Sequence, residues 1–487
     1  MDGRRKTYRP WNPHEGAQRA YVPQDVLPED DLVFFVMDVV PNMDLTPFFS
    51  YYERELRGQP PFDVRMMVAL LIYAYAVGVF SSRKIAAACE RNLAFRVIVG
   101  NDPPDFRTIS DFRKIHRAHF RKLFVEVLRL AGEAGLVRLG NLATDGSKIE
   151  ANASRHKAMS YAYMIQEIQR LEAEVEKLLE QADKVDAEQD AAWGSRRGDE
   201  LPEGLKRRED RLEKIRQARA RLEAEAKARA EEEQRRRAEE DARRQGEGKS
   251  PPRRGGSPAD AKPEEKAQTN FTDPDAKIMK RSNKGFDYCY NGQLVVDDAE
   301  QIIVAAEVTA EANDKRQAVP MAQRALENLE SAGIERPLDE QGQAKKIPNT
   351  ADSGYFSEEA VRGLEGLGLD PYVAPGREKH HEEAVADAKA TDTKAADAKA
   401  TEVAAPPAGT LSVKEQMRQK LRTGAGRCLY AARKHIVEPV FGQIKFARGF
   451  RKFLLRGLDK VAAEWQLICL THNLLKLWRV QWKPAGP

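Results

Sequence analysis

Apolar residues recur at helical spacing through the first quarter of the chain. From Asp31 the pattern runs Leu32, Phe35 and Val36, breaks at Pro41, and resumes with Leu45, Phe48, Phe49, Tyr52 and Leu56. Intervals of three and four predict short amphipathic helices. After Pro60 and Pro61 comes Met66–Phe80, an apolar run of 15 residues. A bilayer span needs roughly 17–25, so this run predicts a buried helix. Ser81 or Ser82 can cap a following helix with Arg83, Ile85, Ala86 and Cys89. Beyond Pro103 and Pro104, Thr108 or Ser110 can cap a basic helix carrying Phe112, Ile115, Phe120, Leu123, Val127 and Leu130. Short capped helices with Arg and Lys on their outer faces fit a helix-turn-helix domain that contacts DNA, and equally a helical domain with an ordinary solvated face.

The period changes after Gly135 and Gly140. Leu136–Thr144 alternates and is bounded by turn residues, which predicts a strand delivering Asp145 at its end. Asp145-Gly146 is also a common turn dipeptide, so Asp145 taken alone reads as a turn residue. From Tyr161, the residues Met164, Ile168, Leu171, Val175, Leu178, Ala182 and Val185 step by four and three, a heptad seam. A second helical stretch carries Leu205, Leu212, Ile215 and Leu222, and residues 186–204 connect the two as an antiparallel hairpin. Its plainest role is a spacer or an oligomerisation arm. Residues 243–268 are rich in Gly, Pro and Lys and predict disorder.

Two β-patterned runs, Phe286–Val296 and Gln301–Val308, flank a turn at 297–300. Lys315–Ser331 is amphipathic, Lys346–Thr350 is a weak strand reaching Asp352, Ser357–Leu367 is a helix, and Pro371–Ala374 is a short strand. Residues 376–412 repeat DAKAT at 387–391 and 397–401 and have too little apolar content for a core. The last helices are apolar again, from Phe450 through Trp465 to Trp478.

Composition adds little until it is divided along the chain. The whole is 32% charged with net charge +4. From Lys414 to Pro487, however, 16 Lys and Arg face 4 Asp and Glu, a candidate phosphate-binding surface. The four cysteines are far apart with no CxxC, which points to neither zinc nor a disulfide framework and fits a reducing compartment. The first residues lack an apolar leader, and the expectation is a cytoplasmic protein with no membrane partner.

The chemistry centres on Tyr430–Lys445, where one acid, Glu438, stands among Arg433, Lys434, His435 and Lys445. A lone acid in a basic segment is ordinarily a surface ion-pair partner. Asp145 and Asp352, each after an apolar run, could converge on it to hold divalent metal beside a basic surface. His435 and His156 stand alone and read as hydrogen-bonded or surface residues.

With the helical and low-complexity inserts removed, the order is three strands, helix, strand, helix, strand, helix. This α/β order, a mixed sheet, resembles the ribonuclease H-like fold, and its acids are placed as in DDE transposases and retroviral-type integrases. Tyr430-x2-Arg433-x4-Glu438-x6-Lys445 is similar to the Tyr-Arg-Glu-Lys signature of bacterial insertion-sequence transposases, with one extra residue between Arg and Glu. TDGSKIEANASRHKAMSY (144–161), TADSGYFS (350–357), VEPVFGQIK (437–445) and RGFRKFLLRGL (448–458) resemble the subgroup with a coiled-coil insertion after its first catalytic Asp.

The resemblance implies a DNA transposase that cuts at terminal inverted repeats and joins the freed 3′-OH to target DNA. Asp145, Asp352 and Glu438 would be catalytic and would hold two Mg²⁺, with Mn²⁺ as a possible substitute. Tyr430, Arg433 and Lys445 would contact DNA, and the interleaved basic residues Arg448, Arg451, Lys452 and Arg456 suit backbone contact. The partners would be double-stranded DNA and further copies of the chain, in a homodimer or larger assembly. Two rival readings are a domesticated or defence nuclease that cuts without joining and a non-enzymatic coiled-coil DNA-binding protein.

The expected layout is a flexible arm (1–30), a helical N-terminal DNA-binding domain (31–134), the first part of the catalytic core (135–154), and a coiled-coil hairpin with a disordered linker (155–269). The core continues (270–375), then come the low-complexity insert (376–412) and the catalytic helix with basic C-terminal helices (413–487). Pro439 disfavours α geometry at Glu438, which therefore belongs at a helix start or kink.

Overall fold

A computed structural model describes residues 7–11, 26–54, 57–100, 102–193, 203–246, 261–281, 285–338, 340–376 and 411–481. The low-complexity insert and most of the Gly/Pro-rich linker fall outside them. The chain divides into two units, one comprising 1–151 with 278–487 and the other 152–277.

The first unit opens with helices α1 (Leu32–Val39), α2 (Thr46–Tyr52), α3 (Val64–Ala76), α4 (Ser82–Arg91), α5 (Leu93–Val99), α6 (Phe106–Ile115) and α7 (Phe120–Glu133). The apolar run becomes α3, buried at every position except Arg65. Asp63 caps it, its side chain accepting from Arg65 N. Asp105, rather than Thr108 or Ser110, caps α6 and accepts from Thr108 N. The basic stretch is two helices, broken at His116, whose ring packs against Phe48 and Phe112. Residues 7–11 are irregular but docked: Trp11 Nε1 donates to Ile98 O at 2.9 Å, and Tyr8 Oη to Phe49 O at 3.1 Å. Among the described residues no single helix is long and apolar enough to cross a membrane.

The sheet contains β1 (Leu142–Glu150), β4 (Lys277–Lys280), β5 (Phe286–Asp297), β6 (Ile303–Thr309), β7 (Ile347–Ala351) and β8 (Leu369–Val373). Their order is β4-β5-β1-β7-β8, with β6 also paired to β5. β5 pairs antiparallel with both β1 and β6, whereas β7 and β8 run parallel to β1. The intervening α10 (Ala318–Ser331) and α11 (Glu358–Gly366) supply the crossovers that parallel neighbours need. A helical N-terminal region followed by this mixed sheet is compatible with a ribonuclease H-like core. One expectation is corrected: β1 starts at Leu142, not Leu136, so Asp145 lies inside the strand. The alternation at 136–140 belongs to a loop held by Asp297, whose carboxylate accepts from Arg138 N and Leu139 N.

The chain then forms α12 (Val413–Arg422), α13 (Gly424–Ile436), α14 (Glu438–Gly442), a π-helical turn (Gln443–Ala447) and α15 (Leu458–Gln481). α15 is buried on nearly all sides and packs against α3, α7 and β6. Several of its polar residues find partners suited to the interior. Asn473 clasps Ile303, accepting from its N and donating to its O, both at 2.8 Å. Glu464 accepts from Leu454 N and Leu455 N. Burial pushes His472 down to about 3, so its neutral ring donates to Gln301 O. Trp465, fully buried, stacks near Phe441, Phe450 and Phe453. Emptying such a site typically costs about 3–5 kcal/mol.

The second unit contains β2 (Ala158–Ser160) paired with β3 (Gln268–Asn270), and the long helices α8 (Tyr161–Trp193) and α9 (Glu203–Gly246). Met164, Ile168 and Leu171 are buried with Leu212, Ile215 and Leu222. The seam loosens at Val175 and Leu178, which are half-buried. Ala182, Val185 and Leu205 have side chains outside the described set. Charged clamps flank the seam: Glu167, 4% exposed, accepts from both Arg170 and Arg211. α9 continues well past Leu222, where the apolar pattern stops. Ala, Arg and Glu are strong helix formers, and i,i+4 pairs such as Arg237 with Glu233 support the extension.

Candidate nucleic-acid-processing site

The site forms where β1 and β7 part. Their last registered pair is Thr144 with Ala351. One residue further on each strand stand Asp145 and Asp352, which brings side by side two acids 207 residues apart in sequence. Asp352 caps the turn that follows, its Oδ1 accepting from Gly354 N at 2.9 Å. Asp145 Oδ1 accepts from Gly146 N, and Oδ2 from Arg433 Nη1 at 3.4 Å.

Asp145 retains only 20% side-chain exposure, and its partner Arg433 retains 9%. Burial pushes the Asp145 carboxyl up to about 6. Arg433 and the Gly146 amide pull the other way, and the charges of Asp352 and Asp314 add to the rise. The rise is therefore chiefly an effect of burial, to which the neighbouring acids add.

Gly146 is required by packing, not by a turn. A Cβ there would stand 2.2 Å from Gln293 Nε2 and 2.9 Å from Asp314 Oδ1. The turn reading of Asp145-Gly146 is thereby corrected: both residues sit in the strand, and the missing side chain admits a polar cluster behind Asp145.

Most of the Tyr-Arg-Glu-Lys segment lines this place. α13 packs against β7 and β8. Arg433 stands over the Tyr430 ring at 5.9 Å, and burial raises the Tyr430 phenol. Lys445 donates to Ser147 Oγ and, at 3.2 Å, to Lys148 O. Burial lowers its ammonium to about 8, so it remains mostly charged at neutral pH. Glu438 is the first residue of α14, with Pro439 behind it, as a helix start requires. Its side chain is exposed, and among the described residues no three His, Cys, Asp or Glu side chains are grouped to hold a metal ion. Asp145 and Asp352 are thus together, while Glu438 stands apart on the adjoining helix.

The remaining basic candidates divide. Arg448 is turned inward, donating to Ile468 O at 3.1 Å and Thr471 Oγ1 at 2.7 Å, and burial lowers it to about 10. It is committed to the fold, which corrects its reading as a surface contact. Arg451, Lys452 and Arg456 are exposed. Arg451 covers the Phe446 ring at 4.6 Å, and Lys452 Nζ pairs with Glu150 at 2.8 Å. Phe453 N donates to Glu150 O at 2.8 Å, which lays this basic strip along the end of β1. In the helical region Arg113 is also inward, donating to Tyr75 Oη, Phe80 O and Ser82 Oγ. Arg83 and Arg107 remain outside, flanking the exposed Phe106 ring at 5.1 and 5.7 Å.

Asp314 went unrecognised in the sequence, where Asn313-Asp314-Lys315 reads as a loop before a helix. Its signal lay in β5, where Asn291 and Gln293 interrupt an apolar run and, once buried, need partners.

The donors gathered here are carboxylate oxygens around a buried Asp145. That suits a hard divalent ion such as Mg²⁺.

Two family models match parts of the chain. The model described as "Transposase domain (DUF772)" matches residues 22–115, and "Transposase DDE domain" matches 388–478. The second match spans Tyr430 through Lys445; Asp145 and Asp352 lie outside both. No curated protein and no solved structure gives a significant match. The chain is an enzyme that acts on DNA, of the transposase and endonuclease class. The two matches support an insertion-sequence transposase of the DDE type, a class that uses divalent metal ions.

Proposed function

We propose that the chain cleaves DNA at the terminal inverted repeats of its element and transfers the freed 3′-OH into target DNA, using two Mg²⁺ for which Mn²⁺ can substitute. The observation that carries this reading is the Thr144–Ala351 register, which sets Asp145 beside Asp352 under Arg433 and Tyr430. Asp145 and Asp352 would hold the metal, and Glu438 would join them from α14. Metal bound there supplies charge stabilisation to the attacking oxygen, the phosphorus and the leaving oxygen.

The chain's own groups bind and orient. Arg433 fixes Asp145 Oδ2, and its buried Nε, which has no partner among the described residues, is an unused donor beside the acids. Tyr430 offers a hydroxyl to a phosphate near the cut. Lys445, anchored between Ser147 and Lys148 O, presents positive charge to the transferred end. Arg451, Lys452 and Arg456 follow the backbone outward, and the helical region adds Arg83 and Arg107.

In the first step a water oxygen bonds to phosphorus while the 3′ oxygen leaves and takes a proton. In the second that hydroxyl bonds to a target phosphorus and the target's own 3′ oxygen leaves. Both element ends must reach the target together, so the active form is a homodimer or larger. α8 and α9, with their buried Met164–Leu222 seam, form the coiled-coil insertion of the subgroup and one candidate contact between copies.

The test is strand transfer in vitro with Mg²⁺ and a labelled duplex carrying the terminal repeat. Wild type should yield joined product, and Glu438→Gln should yield none above background. Nicking without joining by the wild type, or equal product from both proteins, would overturn the proposal.

A further inference from the structure

A second polar cluster lies behind the acid pair and is absent from the Tyr-Arg-Glu-Lys signature. Asp314, half-buried ahead of α10, is held by three donors from the two central strands. Lys148 Nζ on β1 donates to both its oxygens at 3.3 Å. Asn291 Nδ2 and Gln293 Nε2 on β5 donate to Oδ1 at 2.5 and 2.7 Å. Asn291 and Gln293 are fully buried, so their amides depend on protein partners. Gln293 also accepts, through Oε1, the hydroxyl of Tyr355.

Tyr355 closes the turn that begins at Asp352: its N donates to Asp352 O at 3.2 Å. Its ring is wholly buried, so the hydroxyl has no water to fall back on. A continuous chain therefore runs Lys148–Asp314–Gln293–Tyr355 and ends on the backbone that presents Asp352 opposite Asp145. The space for it is the Cβ missing at Gly146.

We propose that Asp314, acting through Gln293 and Tyr355, is a positioning residue that sets Asp352 for metal binding beside Asp145. Asp314 fixes which end of the Gln293 amide donates. With Nε2 committed to Asp314, Oε1 must face Tyr355, whose only hydrogen-bonding role is then to donate. A neutral acceptor at 314 weakens that orientation, and loss of the Tyr355 hydroxyl cuts the chain at its last link. In either case the turn at 353–355 gains freedom and the two carboxylates bind a shared ion less well.

This inference rests on the metal reading of Asp145 and Asp352, and its test separates the two. Mn²⁺ binding to the full-length protein is titrated without DNA, followed by the electron paramagnetic resonance of unbound Mn²⁺. Wild type, Asp145→Ala, Asp314→Asn and Tyr355→Phe are compared, with thermal melting to confirm folding. Tyr355→Phe and Asp314→Asn should each weaken Mn²⁺ binding by about tenfold, the usual scale for groups that orient metal ligands. Asp145→Ala should abolish it.

Gln293→Glu provides the check on mechanism. Its carboxylate cannot donate to Asp314 but can still accept from Tyr355, so Asp314→Asn, whose amide can donate to it, should partly rescue Gln293→Glu. If Asp145→Ala abolishes binding while the folded Tyr355→Phe and Asp314→Asn proteins bind as wild type, the positioning role is refuted and the metal site stands. If Asp145→Ala itself binds as wild type, the metal reading fails and takes this inference with it.

Discussion

Replacing Asp145 by Asn is expected to abolish DNA cleavage and joining while leaving the fold intact. The activity loss should exceed the roughly 10²–10³-fold that follows removal of one charge-stabilising donor, because Asp145 is the innermost acid of the site. Stability should respond differently. The carboxylate is costly to the folded state, its pKa raised to about 6 chiefly by burial. For a raised acid that cost is absent below the unfolded carboxyl value, grows as pH rises, and is complete above about 6. Asn removes it, although Arg433 then loses its ionic partner. The melting temperature of Asp145→Asn at pH 8 should therefore match or exceed that of wild type, measured beside a strand-transfer assay. A large fall in melting temperature would mean that Asp145 is structural.

Arg433→Ala should have the second largest effect, and the opposite stability signature. Arg433 is the cation that offsets Asp145 across 3.4 Å, and both are largely shielded from water. Removing one member of a fully buried pair costs about 3–5 kcal/mol. Asp145 is less enclosed and can escape by taking up a proton, so about 2 kcal/mol at pH 8 is expected. The sign with pH follows from linkage. Without Arg433 the Asp145 carboxyl rises further, so the deficit relative to wild type opens as pH climbs past about 6 and closes toward pH 4. Denaturant titrations of the metal-free protein at pH 5 and pH 8 would show this. A deficit equal at both values would contradict the pairing. DNA cleavage should fall with it, since Arg433 also backs Tyr430.

Much of this architecture was legible because apolar period is a local property. α3 follows from an unbroken apolar run, and the β5 and β6 hairpin from alternation around Asp297 and Asp298. Glu438 was placed at a helix start because Pro439 allows little else, and it opens α14. What stayed hidden depends on contacts distant in sequence. Asp145 lies inside β1 because β5 extends the ladder to Glu150, which the sequence near residue 145 does not reveal. Arg448 looked like a surface cation, because nothing local shows that Ile468 and Thr471 would enclose it. The tail of α9 persists where apolar residues end, since helix propensity and ion pairs suffice there. Asp314 is the clearest case: its partners Lys148, Asn291 and Gln293 lie 166, 23 and 21 residues away.

The claim most exposed to test is that Glu438 completes the pair formed by Asp145 and Asp352. Iron-directed cleavage of the polypeptide measures it in one experiment. Fe²⁺ is bound to the protein with a terminal-repeat duplex, ascorbate and peroxide are added, and the cut sites are mapped by mass spectrometry. Cleavage is expected near residues 145, 352 and 438, all suppressed by excess Mg²⁺. Cuts near 145 and 352 with none near 438 would contradict it.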